Sequence, residues 1–293
     1  MLNFFLTRLP IYSKFIAGNN LKSAIHVSQM LKKKNVNTIF DFSVESSKNI
    51  SRNIDEIYKQ INVLESSFIA LKFSSLGINN ESLIFCQKLI DNFYKENSKK
   101  KNPNKFLIDA ENYIIQPKIY DLSDYAIDNY NTPENKYFYK TLQMYRNDVS
   151  NIFYEDIEKY IENNKYALKL VRGAYISSDK KHNIILSSKE DTDTQYNYIL
   201  NIFLSLLHEY PKNDIVIATH NNLSYNMGIS FIKENTEYKN NIYFATLLGM
   251  ADNICFDDNN YNKLKYVPYG PFFETTPYLF RRFIENKDII KYI

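Results

Sequence analysis

Hydrophobic and polar positions follow two periods along this chain. Leu21 to Leu31 carries apolar residues at Leu21, Ala24, Ile25, Val27, Met30 and Leu31, a helical spacing that gathers them on one face. After it, short apolar runs alternate with longer amphipathic ones. The short runs predict eight strands: Thr38 to Phe42, Phe68 to Phe73, Phe106 to Asp109, Tyr137 to Leu142, Ala167 to Val171, Ile215 to Ala218, Ile242 to Leu247 and Leu264 to Val267. The intervening segments predict helices at Ile54 to Leu64, Glu81 to Tyr94, Tyr120 to Ile127, Ile152 to Ile161, Thr194 to Glu209 and Leu223 to Lys233. The strands are apolar throughout, as expected when both sheet faces are covered. Eight βα units in about 250 residues fit an α/β fold, a (βα)8 TIM-like barrel with an N-terminal helix. The expected organisation is one domain over 1–293, helical at 1–36 and barrel over 37–293, with no internal repeat or linker.

The last element concentrates chemistry. In KYVPYGPFFETTPYLFRRFIE, Lys265 to Val267 predict a strand end that Pro268, Gly270 and Pro271 break. Thr275 or Thr276 is expected to cap a helix, with Pro277 in its first turn. Tyr278, Arg281, Arg282 and Glu285 then fall at i, i+3, i+4 and i+7, on one helical face. Two guanidinium forks can grip a carboxylate through paired hydrogen bonds. Arg281 and Glu285 also fit an ordinary i, i+4 ion pair on a wet surface. These residues alone leave both readings open.

Composition narrows the classes. With 44% hydrophobic and 24% charged residues the chain is globular, and a net charge of +3 gives no footprint for nucleic acid. Abundant Asn, Lys, Ile and Tyr reflect AT-rich coding, so surface Asn and Lys carry little signal. Cys86 and Cys255 are far apart, which supports no disulfide framework and makes a reducing compartment the default. No apolar run approaches the roughly 18 residues of a membrane span. The first 40 residues hold no acid but carry Arg8, Lys14, Lys22 and Lys32 to Lys34, a pattern that fits a targeting remnant. Early helical periodicity and little Arg or Ser argue against a cleaved transit peptide.

In a barrel, chemistry gathers at the C-terminal ends of the strands. Those ends carry Lys72, then Asp109-Ala110-Glu111, Gln143 and Tyr145, Lys169 to Tyr175, Thr219-His220-Asn221, Leu247 to Met250, and Tyr266. Each has a plain structural role open to it: a helix cap for Asp109, a snorkelling Lys72, a core His220, a turn at Arg172 to Tyr175. A dinucleotide fingerprint and a P-loop are excluded, because no two of the six glycines are close enough. No metal site is expected, since His220 lacks a partner at ligand spacing. No G-x-S-x-G elbow supports a serine hydrolase.

LKLVRGAY, ATHNN, LLGM, KYVPYGP and PYLFRRFIEN, in this order, resemble the proline dehydrogenase family. FIAGNNLKSAI, DFSVES, LKFSS and LIDAEN extend the resemblance over about Phe15 to Lys287. It is similar in particular to the single-domain bacterial form, which shares KYVPYGP and wording like Thr192 to Tyr196. The resemblance implies an FAD-dependent barrel that oxidises L-proline to 1-pyrroline-5-carboxylate and passes electrons to a quinone, the first step of proline breakdown to glutamate. It implies that Arg281 and Arg282 clamp the proline carboxylate, assisted by Lys72, while Glu285 holds an arginine. Tyr266 and Tyr278 would wall the ring, with Leu247 nearby. Asp109 would sit beside the substrate and, with Lys169, forms the catalytic set. Ala110, Gln143, Lys169, Arg172, Gly173, Ala174, Tyr175, Thr219, His220 and Asn221 would hold the flavin.

The chain departs from the family at three points. Thr246 stands where Gln or Cys is frequent. Lys169 replaces an Arg of many members, leaving a point charge. The segment before the barrel is short, so a full lid and a membrane contact from that region are not implied. A bacterial origin implies cytoplasm with peripheral contact to the inner membrane; a eukaryotic origin implies mitochondria. Two rivals remain: a barrel lyase using Lys72 or Lys169 as a Schiff-base amine, and a catalytically decayed or regulatory barrel that binds flavin without turnover. The oligomeric state is not legible.

Overall fold

The computed structural model describes residues 10–44, 49–79, 81–256 and 261–285, with main chain alone at 10–11 and 280–285. Eight parallel strands close into a barrel in chain order: β1 Val36–Phe42, β2 Phe68–Leu71, β3 Lys105–Ile108, β4 Phe138–Gln143, β5 Ala167–Val171, β6 Asp214–Ala218, β7 Ile242–Leu247 and β8 Asn262–Tyr269. Closure runs through seven β1–β8 pairs, from Val36 with Lys263 to Phe42 with Tyr269. Helices α1 Pro10–Phe15 and α2 Leu21–Lys32 precede the barrel. The outer layer is α3 Ile50–Val63, α4 Leu83–Ser98, α5 Gln116–Tyr130, α6 Val149–Asp156, the short α7 Ile176–Asp179, α8 Lys189–Leu206, α9 Asn222–Glu234, the short α10 Asp252–Cys255 and α11 Phe272–Glu285.

The strands read as apolar because they bury both faces. One set packs inward at Ile39, Phe68, Ala70, Leu107, Tyr139, Ala167, Val216, Ala245 and Leu264. The alternate set packs outward beneath the helices, as with Phe40, Ile69, Phe106, Leu168 and Ile217. Side chains alternate with period two, so this inner layer also fixes which later residues face the barrel's axis.

Two expectations at the C-terminal end need correction. Strand β8 continues through Pro268 to Tyr269, because β1 keeps pairing with it beyond its last β7 pair at Tyr266. There β8 is an edge with respect to β7, where a proline is tolerated. Helix α11 starts at Phe272, so neither Thr275 nor Thr276 caps it and Pro277 lies inside it. Thr276 Oγ1 donates to the Phe272 carbonyl at 2.7 Å, and Thr275 Oγ1 meets the Tyr12 hydroxyl of α1 at 2.9 Å. The two threonines thus spend their hydroxyls inside the first turns of α11. Arg52 of α3 holds Glu274 with two hydrogen bonds of 2.8 and 2.5 Å. Several other helices start earlier than predicted at polar caps, such as Asn49 for α3 and Ser188 for α8.

The N-terminal segment lies across the barrel mouth. Ala17 N–H donates to the Pro268 carbonyl at 2.8 Å, and Gly270 N–H to the Gly18 carbonyl at 3.0 Å. Gly249, at φ +73°, has the Lys14 carbonyl 2.3 Å from where a Cβ would stand. The opposite end is closed by polar side chains. Lys105 donates to Tyr139 at 2.7 Å, Tyr243 at 2.9 Å and Asp214 at 3.1 Å, and Tyr139 donates to Asp214 at 2.5 Å. Removing one partner of such a set leaves the others buried and unpaired. Asp214→Ala is therefore expected to lower stability by about 3 kcal/mol in urea unfolding, and replacing Lys105 and Asp214 together by apolar residues to cost less.

Candidate active site

The inward alternation continues one step above the apolar layer and turns polar. Ile39 is followed two residues on by Asp41, Ala70 by Lys72, Leu107 by Asp109, Ala167 by Lys169 and Leu264 by Tyr266. Five strand ends thereby place five functional groups around one axis. Lys72 Nζ donates to both oxygens of Asp41, each at 2.8 Å. Lys169 Nζ donates to Asp109 Oδ1 at 2.6 Å, and the Tyr266 hydroxyl donates to Asp109 Oδ2 at 2.5 Å. The Tyr266 ring lies 5.7 Å from the Lys72 ammonium and 5.1 Å from that of Lys169. Burial, with Asp109 adding to it, raises the Tyr266 phenol far above its ordinary range.

Tyr278 of α11 joins this group, its ring centroid 5.2 Å from Lys72 Nζ. It packs with Tyr12 and Ile16 of the N-terminal segment. Leu247, half-buried, touches both the barrel core and the Phe15–Met250 cluster. The side chains of Arg281, Arg282 and Glu285 lie outside the described residues.

A second group sits on the ends of β4, β5 and β6. Gly173 takes φ +124°, and an added Cβ would stand 1.9 Å from the Tyr145 ring. Only glycine combines that backbone with that approach. Arg172 donates to Asp193, to Thr219 Oγ1 at 2.7 Å and to Ser224 Oγ at 3.0 Å, with its guanidinium 4.4 Å from the Tyr196 ring centroid. It is a fixed, partly exposed cation. Gln143 Nε2 donates to the Glu111 carbonyl at 2.8 Å, and Gln143 Oε1 accepts from Ala174 N–H at 3.1 Å. His220, exposed, accepts from Leu247 N–H at 3.1 Å. Asn221 Oδ1 caps α9 at Leu223 N–H, 2.8 Å. Ala110 is buried and Tyr175 half-buried on the same rim.

Sequence reasoning missed Asp41, Asp193 and Ser224, and gave Glu111 no role. Asp41 was legible in principle, as the inward position two after Ile39. Glu111 is buried, with 1% of its surface exposed. Its Oε1 accepts from Ser74 N–H at 2.9 Å, and its own N–H donates to Gln116 Oε1 at 2.6 Å. Burial pushes its carboxyl up to about 7; Ser74 and Lys72 oppose that shift and Asp109 adds to it.

A family profile described as proline dehydrogenase matches residues 24–292. The chain belongs to the proline dehydrogenase family. It is 28% identical to proline dehydrogenase 1, mitochondrial, of Dictyostelium discoideum, over 99% of this chain and 63% of that protein. It is 34% identical to proline dehydrogenase 2, mitochondrial, of Arabidopsis thaliana, over 63% of this chain and 41% of that protein. The chain thus spans less than two thirds of the length of these relatives. Its fold matches that of proline utilization A from Bdellovibrio bacteriovorus with a TM-score of 0.80, at 18% identity, over 94% of this chain and 32% of that one.

The raised Glu111 carboxyl has a consequence for stability. The folded state holds that proton more tightly than the unfolded chain, so stability falls as pH rises from the usual carboxylate range through about 7. Glu111→Gln removes the penalty and keeps an acceptor for Ser74. Urea unfolding at pH 8 is expected to show the variant more stable than the parent by up to about 3 kcal/mol, with the gain vanishing near pH 4.

Proposed function

We propose that this protein oxidises L-proline to 1-pyrroline-5-carboxylate with FAD as cofactor and a quinone as electron acceptor. The observation that carries this reading is the pairing, on one barrel mouth, of a Lys–Asp–Tyr cluster with a glycine cradle next to a fixed arginine. The cluster suits a small zwitterion and the cradle suits a flat cofactor with an anionic tail. The residues present fit a flavin. Gly173, lacking a Cβ, lets the main chain after β5 turn tightly against the Tyr145 ring, and Arg172 and Thr219 supply polar groups beside that turn. Bound FAD would accept the hydride taken from the substrate.

The chain's own residues bind and orient. Lys72 offers a cation to the proline carboxylate, and Arg281 and Arg282, which follow Tyr278 at i+3 and i+4, complete the clamp, with Glu285 holding an arginine. Tyr266 and Tyr278 wall the ring, and Leu247 adds an apolar contact. Asp109 is fixed by Lys169 and Tyr266, one oxygen each, and lies on the substrate side. Gln143, Ala174, Thr219, His220 and Asn221 line the cofactor side with Ala110 and Tyr175. A Schiff-base role for either lysine is disfavoured, since such an amine works uncharged while both are ion-paired with aspartates.

Among the described residues no helix is long and apolar enough to cross a membrane, and no cluster of His, Cys, Asp or Glu could hold a metal ion. On this reading the quinone is met by peripheral contact with a membrane. The names of the two relatives favour a mitochondrial setting over a bacterial inner membrane.

The purified protein is expected to be yellow and to reduce a quinone analogue with L-proline. Arg281→Ala is expected to weaken proline binding by about 10- to 100-fold, as for a lost charge-assisted pair, with flavin affinity nearly unchanged. Equal loss of both, or colourless protein trapped by borohydride on a carbonyl substrate, overturns the reading.

A further inference from the structure

Four neighbouring strand ends are tied together through two residues, Glu111 and Gln143. Lys72 follows β2 and opens a turn whose Ser74 N–H is held by the Glu111 carboxylate at 2.9 Å. Glu111 itself lies just beyond β3, two residues after Asp109. Its carbonyl accepts from Gln143 at the end of β4, at 2.8 Å, and Gln143 in turn accepts from Ala174 N–H past β5. Gln116 fixes the Glu111 amide from the start of α5. One end of this arc is the cation offered to the substrate, and the other is the glycine turn offered to the cofactor.

A buried carboxylate is a costly choice for a mere turn anchor, because a neutral acceptor would also pair with Ser74 N–H without a charge to desolvate. We propose that Glu111 is a positioning residue: it sets Lys72 against the cofactor-side turn, and its negative charge strengthens the hold on the Ser74 amide. This rests on the proline reading above. The groups facing Glu111 are Lys72 at the end of β2, which favours its charge, and Asp109 at the end of β3, which opposes it. Its ionisation near pH 7 would then appear in substrate binding as a rise of affinity with pH.

The test uses flavin-loaded protein mixed anaerobically with L-proline from pH 6 to 9, with flavin bleaching read as a dissociation constant and a limiting rate. Glu111→Ala is expected to raise the proline dissociation constant about 10-fold, as for a lost charged hydrogen bond, with flavin affinity changed less than about 3-fold. Glu111→Gln, which still accepts from Ser74, is expected to fold and to lose the affinity change near pH 7. Amide exchange of the segment containing Ser74, read without substrate, is expected to speed up in Glu111→Ala and stay slow in Glu111→Gln. Unchanged proline affinity in Glu111→Ala, or a parental pH limb in Glu111→Gln, overturns the positioning role while leaving the proline reading intact. A parent protein whose flavin does not bleach with proline overturns both.

Discussion

The site depends on a layer of ion pairs set into the top of a packed barrel. Asp109 is held by Lys169 and Tyr266, and Lys72 is held by Asp41, all on strand ends that face the axis. Isolated charges at such depth would be costly; paired and hydrogen-bonded, they become a rigid template. Two lysines balance two aspartates, so the layer as a whole adds no net charge to the mouth. Such a site would take the proposed zwitterionic substrate without an uncompensated charge. The barrel floor uses similar groups, Lys105 and Asp214 with two tyrosines, yet there they only close the end. The mouth differs because the N-terminal segment and α11 lie across it and supply Tyr278.

The rim at the ends of β4, β5 and β6 is built differently. It relies on main chain brought close rather than on buried pairs. Gly173 lets the turn after β5 pass against the Tyr145 ring, and Gln143 locks that turn to the end of β3. Arg172 reaches across to β6 through Thr219 and is braced by Asp193 of α8. The ion-paired layer and the glycine turn are therefore separate constructions that meet at Glu111 and Gln143.

The barrel was legible because a strand buried on both faces has an unmistakable apolar run, and eight such runs separated by helices admit few folds. The polar ring was legible from the ends of those runs. Side-chain pairing was not, because it depends on contacts between residues far apart in sequence, as Lys72 with Asp41. Boundaries failed where local signals were overruled. Pro268 reads as a breaker, but pairing with β1 carries the strand through it. Thr275 and Thr276 read as caps, but the helix begins at Phe272 and their hydroxyls turn back on it. Asn221, which the resemblance places at the cofactor, also caps α9 through its Oδ1.

The central claim is that Asp109 and Lys169 act as one buried unit on which the proposed substrate side is built. A double-mutant cycle on kcat/KM for proline tests it, using Asp109→Asn, Lys169→Met and the pair. The account predicts that the double variant is no worse than the poorer single variant, because the first change already breaks the unit. Losses that multiply independently would contradict it.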